Sequence, residues 1–231
     1  MTFNEPRTLS ARGVSKNFGE VHALREVSID IPAGQSVAVM GPSGSGKSTL
    51  LHCLAGILMP DAGDVSLGDE PVSLSSDAAR SRLRLERMGF VFQDGQLLPE
   101  LPALENVALP LLLLGRPRAE AFGRAADWLD RLGLGGLERR RPGQLSGGQA
   151  HRVAIARAMV GSPAVVLADE PTGALDQATG AEVMRVLTAT AKGAGASLVV
   201  VTHDPTVARW CERHVEIVDG RVLTDVAAEA A

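Results

Sequence analysis

Tyrosine is absent from this chain, and aromatic residues of every kind make up only 3% of its 231 positions. Any stacking surface must therefore come from one of five Phe or two Trp residues. Cysteine is nearly absent as well. Cys53 and Cys211 stand far apart in apolar surroundings, which argues against a disulfide framework or a metal site and suits small buried hydrophobes in a reducing cytosol. No excess of positive charge exists: 23 Lys and Arg face 27 Asp and Glu, for a net charge of -4, so a nucleic-acid backbone is not the expected partner. Long apolar runs are missing too. The longest, Val107 to Leu114, is interrupted by Pro110, and the opening residues MTFNEPRTLSARG contain no apolar h-region. The chain is expected to be neither secreted nor membrane-spanning, so any membrane role requires a partner. There is no internal repeat. What remains, 45% apolar and 22% charged residues, is the composition of a folded globular protein, read here as one unit over residues 1–231.

Along the chain, Leu9 to Ile31 reads as extended, with Val27, Ile29 and Ile31 alternating against Ser28 and Asp30. Ser36 to Met40 is a short apolar strand, followed by a Gly-rich loop and a helix over Lys47 to Ala55 that Gly56 stops. A strand is expected at Gly89 to Gln93. Leu104 to Leu132 has helical patterns broken at Pro110 and Pro117 and forms, with the helix that follows it, a helical insertion at approximately 94–160. That following helix is expected over Ser146 to Val160, then a buried strand at Ala164 to Ala168, a helix at Gln177 to Ala191 and a strand at Ser197 to Val201. The Ala-rich tail from Val226 to Ala231 is expected to fray. Apolar strands alternating with helices indicate an α/β fold with a mostly parallel sheet covered on both faces.

Three motifs carry chemistry. Gly41-Pro42-Ser43-Gly44-Ser45-Gly46-Lys47-Ser48 fits G-x-x-x-x-G-K-[ST] and lies between a strand and a helix. Its glycines let backbone N–H groups wrap a phosphate, Lys47 reaches the terminal phosphates and Ser48 can ligate Mg²⁺, with Thr49 next in the helix. The strand AVVLADE ends in Asp169 and Glu170, at the edge where open α/β sheets bind ligands. Asp169 suits a Mg²⁺ shell and Glu170 suits polarising a water. Adjacent acids at a strand end are otherwise an ordinary solvated turn. Finally, Leu145-Ser146-Gly147-Gly148-Gln149 opens a helix, and Ser146 with Gln149 forms an S-x-x-Q capping box. Capping alone leaves the two glycines unexplained, since they weaken a helix while exposing N–H groups to an anion. Two anion-binding helix starts in a chain with one nucleotide fold imply that the second completes a pocket on another subunit.

Together these motifs, with VVLADEPTGALD, resemble the nucleotide-binding subunit of ABC transporters over nearly the whole chain. GFVFQDGQLLPELPALENVALPLLLLG, at Gly89 to Gly115, is similar to the subfamily serving lipoprotein-release, macrolide-export and antimicrobial-peptide-resistance systems. The resemblance implies a P-loop NTPase core with an antiparallel β subdomain and an inserted helical subdomain, ATP and Mg²⁺ as cofactors, and ATP hydrolysis. It implies a head-to-tail homodimer sandwiching ATP, and a separate membrane permease through which the chain is peripheral at the cytoplasmic face of the cell membrane. It also assigns Gln93 as the Q-loop glutamine touching Mg²⁺ and water, His203 as the switch histidine, and Asp176 as the D-loop acid, although Asp176 could equally cap the next helix. Phe18 occupies the position of the usual adenine-stacking Tyr; the ring is what stacking needs. Ala150-His151 replaces the polar pair that commonly follows LSGGQ, and Gly173 stands where Ser is frequent. The alternative is a non-transport regulatory or scaffold cassette. A repair or chromosome type would carry a long heptad insertion, which this Pro-broken one is not.

Overall fold

The computed structural model describes residues 7–93 and 95–228. Three short apolar runs, SVAVM, VVLAD and SLVVV, form β3 (Ser36–Met40), β7 (Val165–Asp169) and β8 (Ser197–Val201). Each is almost wholly buried, as a strand covered on both faces must be. With β6 (Met88–Phe92), β9 (Arg213–Val218) and β10 (Arg221–Ala227) they make a six-stranded sheet in the order β10-β9-β3-β8-β7-β6. Its neighbours are parallel except at the β10–β9 edge. A second, antiparallel sheet joins β1 (Leu9–Phe18), β2 (Val21–Ile31), β4 (Ala62–Leu67) and β5 (Glu70–Pro71) in the order β2-β1-β4-β5.

Period-two alternation divides the parallel strands between two cores. Val165, Leu167, Val199 and Val201 pack with Leu50 and Leu54 of α1 (Lys47–Leu54) and with Leu9 and Ile31 of the antiparallel sheet. Val166, Ala168, Leu198 and Val200 face the other way. They pack with Leu111 of α3 (Ala103–Leu113), Leu129 of α4 (Arg118–Arg131), Ile155 of α5 (Gly147–Met159) and Leu187 of α6 (Gln177–Gly193). Each fully buried Leu or Ile contributes roughly 1.5–3 kcal/mol of transfer free energy, so the sheet is held from both sides. Burial also keeps both cysteines inert, pushing the Cys53 thiol up to about 11 and the Cys211 thiol up to about 12.

Element ends fall within two residues of expectation, with two substantive corrections. Pro110 does not break its helix: α3 runs through it, and only Pro117 marks a boundary, as the residue before α4. Pro110 removes the bond to the Asn106 carbonyl, yet Ala103, Val107, Ala108 and Leu111 are buried against the core and hold the helix on both sides of it. The tail is ordered further than expected. Val226 and Ala227 pair with His214 and Arg213 in β10, and Ala228 N–H donates to Glu212 O at 2.8 Å, because β9 offers a free ladder edge. Residues 229–231 of the expected fraying lie outside the described residues. Sequence reading placed nothing on α2 (Asp77–Arg87), whose only buried residue is Leu83, or on β4.

Parallel neighbours put the C-terminal ends of β3, β8, β7 and β6 on one edge. Phe92 pairs with Asp169, Asp169 with Val201 and Val201 with Val39. Gly41, Thr202, Glu170 and Gln93, each following one of these strands, therefore open onto the same side of the sheet.

Candidate functional site

The Gly-rich loop is held tightly by its glycines. Gly46 precedes α1 in a left-handed conformation, φ 103°, and a Cβ there would stand 2.2 Å from the Ala23 carbonyl oxygen on β2. Gly41, at φ 144°, leaves no room either: a Cβ would lie 2.0 Å from Ile217 O. Lys47 is buried, and Nζ donates to the loop's own Gly41 and Pro42 carbonyls, both at 2.8 Å. An ammonium has three N–H donors, so one remains to aim outward from the cradle. Ser45 Oγ is buried in the same loop with no hydrogen-bond partner among the described residues.

Ser48 and Asp169 come together although 121 positions separate them: Ser48 Oγ donates to Asp169 Oδ1 at 3.1 Å. Burial raises the Asp169 carboxyl above its usual range; the Ser48 hydroxyl and the nearby His52 and Lys47 pull the other way, while Glu170 adds to the rise. All-oxygen donors around one carboxylate fit Mg²⁺, which takes few protein ligands and completes its shell with phosphate and water. No cluster of three or more His, Cys, Asp or Glu occurs among the described residues to suggest a softer metal.

Glu170 follows in the left-handed region, φ 45°, an unfavourable conformation for a side chain of this kind. Three donors hold it there. His203 Nδ1 lies 2.7 Å from Glu170 Oε1, His203 N–H donates to the same oxygen at 3.2 Å, and Thr202 Oγ1 donates to Oε2 at 3.1 Å. Thr202 was not singled out in the sequence; its place immediately before His203 was the available signal. Gln93 lies across Gly173, where a Cβ would stand 2.9 Å from Gln93 Nε2. A Ser at this position would crowd the glutamine, which gives Gly173 a local role.

Phe18 sits at the end of β1, 51% exposed, with Lys16 Nζ 5.8 Å from its ring centroid. Its hairpin partner strand β2 abuts the Gly-rich loop at Ala23.

The other helix start stands apart. Ser146 caps α5: its Oγ accepts from Gln149 N–H at 3.3 Å and Gln149 Oε1 accepts from Ser146 N–H at 2.9 Å, a complete capping box. The glycines also have a packing reason, since a Cβ on Gly148 would meet Thr179 Cγ2 at 2.9 Å and one on Gly147 would meet Leu175 Cδ2 at 3.1 Å. Asp176 caps α6 by accepting from Thr179 N–H at 3.0 Å, and the Thr179 hydroxyl donates to it at 2.6 Å, which holds its carboxyl below the usual range. Ser146, Gly147, Gly148, Asp176 and Thr179 line a cavity of about 650 Å³ whose walls include no residue of the Lys47 loop. One chain thus assembles Lys47, Ser48, Gln93, Asp169, Glu170 and His203 at one sheet edge, and none of these lines the cavity beside Ser146.

Comparison with known proteins agrees with this arrangement. The family model described as ABC transporter matches residues 24–173. The lipoprotein-releasing system ATP-binding protein LolD of Myxococcus xanthus is 46% identical over 93% of this chain and 97% of its own length. The macrolide export ATP-binding/permease protein MacB of Nitrosomonas europaea is 45% identical over 95% of this chain, which spans about a third (34%) of that relative's length. Among solved structures, an ATP-binding cassette captured as a dimer in a post-hydrolysis state with ADP and Pi superposes with a TM-score of 0.86 at 39% identity, covering 96% of this chain and 100% of that one. Over most of its length, therefore, this chain belongs to the ABC transporter family.

Proposed function

We propose that two copies of this chain sandwich two Mg-ATP molecules head-to-tail, each site built from one copy's Lys47 cradle and the other's Ser146 helix start. The observation that carries this reading is the separation just described. Two phosphate-binding elements, one of which lines a cavity that includes no residue of the other, are read as serving one nucleotide across a subunit interface. The dimeric state of the solved cassette supports it.

Within each site, residues Gly41 to Thr49 wrap the phosphates, and the third Lys47 donor meets a terminal phosphate oxygen. Ser48, Asp169 and Gln93 hold Mg²⁺, which supplies neutralisation of charge on the phosphates. Glu170 accepts a proton from the attacking water, and His203, already bonded to Glu170, fixes its direction. Gly147 and Gly148 offer bare N–H groups to the γ-phosphate of the opposing site, Ser146 and Gln149 hold that helix start in place, and Asp176 stiffens the neighbouring loop.

Two tests follow from individual residues. Because Mg²⁺ needs the charged form of Asp169, and burial has raised that carboxyl, protons compete with metal at a higher pH than an unshifted carboxylate allows. Apparent Mg²⁺ affinity, titrated by ATPase rate at stepped pH, is expected to weaken as pH falls through this raised range, and Asp169→Asn is expected to weaken Mg²⁺ binding and to abolish this pH dependence. An affinity flat with pH would contradict the assignment. For the base, Phe18→Ala is expected to weaken ATP binding about 5- to 100-fold, the worth of one stacked base, with little change in turnover at saturating ATP. Fluorescence titration with a labelled nucleotide checks it, and unchanged affinity would remove Phe18 from the site.

On this reading the power stroke is delivered to a membrane permease, and the chain works at the cytoplasmic face of the membrane. Among the described residues no helix is long and apolar enough to cross a membrane, and the MacB relative joins ATP-binding and permease under one name. A groove of about 410 Å³, walled by Leu85, Met88, Phe90, Phe92 and Pro110 with Arg84 at its side, starts on the strand that leads to Gln93 and suits a short amphipathic permease helix.

A further inference from the structure

His151 is 3% exposed, an imidazole buried in α5 that the reaction does not use. Its ring lies between two backbone carbonyls, Nδ1 3.0 Å from Gly147 O on its own helix and Nε2 2.8 Å from Gln93 O at the end of β6. Less than two turns further along the helix, Arg157 donates to Gly95 O at 2.7 Å and to Gln96 O at 2.8 Å. Three carbonyls of the segment leaving β6 thus accept from side chains of the single helix that begins with the LSGGQ motif. Nothing in the usual reading of that motif accounts for them, and His151 stands at one of the two positions where the sequence departs from the common polar pair.

We propose that His151 is a positioning residue that locks the Gln93 segment to the first turn of α5. In its Nε2–H tautomer it donates to Gln93 O, the shorter of its two contacts, and Nδ1 makes no hydrogen bond to Gly147 O. Both carbonyls belong to elements with duties at different nucleotides, on the reading given above: Gln93 serves the site built on its own chain, and the helix start at Ser146 serves the partner copy's. A helix is stiff along its axis, so the clamp makes these two groups move as one body. Arg157 extends the clamp and also walls the groove beneath Phe92, so a helix seated in that groove presses on the same unit. A shift there reaches the Gln93 side chain and the opposing γ-phosphate together, without any contact to either.

The test separates positioning from packing. His151→Leu fills the space without a donor, and His151→Gln restores one, its amide nitrogen carrying two N–H groups. Expected for His151→Leu is a turnover number lowered about tenfold, with KM for ATP within twofold and an unchanged melting temperature, the size of a typical coupling effect; His151→Gln recovers most of the turnover. Unchanged turnover in His151→Leu, or a loss that His151→Gln fails to recover, overturns the proposal, as does a parallel change in KM and melting temperature. Should His151→Leu fail to fold, Arg157→Met against Arg157→Lys decides in the same way: selective loss of turnover in the first and recovery in the second supports the clamp, and equal rates overturn it. Gln93→Ala run alongside distinguishes the layers. If Gln93→Ala hydrolyses ATP normally, the role given to Gln93 fails; if it is slow while the clamp variants are not, only the clamp fails.

Discussion

Glu170→Gln is expected to release phosphate about 100- to 1000-fold more slowly than the unaltered chain, the usual worth of a positioned general base, while binding ATP with unchanged affinity. The amide keeps the shape of the side chain, and its oxygen still accepts from Thr202 Oγ1 or His203 N–H, the contacts that hold position 170 in its left-handed backbone. What it loses is the capacity to take a proton. The Lys47 cradle and the Ser48–Asp169 pair stand on different elements and are untouched, so nucleotide still binds. With binding intact and hydrolysis blocked, the sandwiched dimer has no route to open and should accumulate on a sizing column in Mg-ATP. Near-normal phosphate release would remove Glu170 from its role and move attention to His203.

Ser146→Asp probes the other half of the site. Aspartate caps a helix as well as serine does, so the start of α5 and the melting temperature should change little. The new carboxylate stands where the opposing γ-phosphate would arrive. Two unit charges about 4 Å apart repel by about 1 kcal/mol in water and about 4 kcal/mol at the effective dielectric of a protein surface, and the midpoint corresponds to a loss of turnover on the order of 100-fold. Binding of ATP to the separate chain should persist, because Lys47 is not touched, whereas ATP-driven dimerisation should fail. Equal rates for Ser146→Asp and the unaltered chain would mean that the helix start never meets a phosphate.

The gathering of the proposed site residues at one sheet edge was legible because their spacing along strands and turns is tightly constrained. Gly41 and Gly46 are required by backbone clearance, Lys47 and Ser48 by reach, and Asp169 with Glu170 by the end of an apolar strand whose neighbours are parallel. The buried strands were readable for a related reason: runs of four apolar residues, rich in Val and bounded by turns or polar residues, suit a buried strand. Legibility ended where tertiary contacts overrule local signals. Pro110 reads as a helix break until the packing of Val107 and Leu111 is seen. The polar helix α2 shows one buried residue, Leu83, and so has almost no periodic signal. Val226 and Ala227 look like a loose tail because only the free edge of β9, far away in sequence, gives them partners. In the site, the capping duties of Ser146 and Asp176 were visible and so was their ambiguity. The sequence offers both a cap and a phosphate site, and the structure shows that capping occurs while the cavity beside it stays free of the Lys47 loop. His151 stood out in the sequence only as half of a replaced polar pair, since the carbonyls beside its ring lie on segments distant in sequence.

Mixing two inactive variants measures the shared pocket directly. Lys47→Ala leaves the helix start intact and Ser146→Asp leaves the cradle intact, so any pair that either variant makes with itself has two defective sites. In an equimolar mixture half the pairs are mixed, and each mixed pair contains one site with both a good Lys47 and a good Ser146. Turnover should reappear at roughly a quarter of the unaltered rate if the sites work independently. A mixture no faster than its components, or a Ser146→Asp chain that hydrolyses ATP at full speed by itself, would contradict a nucleotide site divided between two copies.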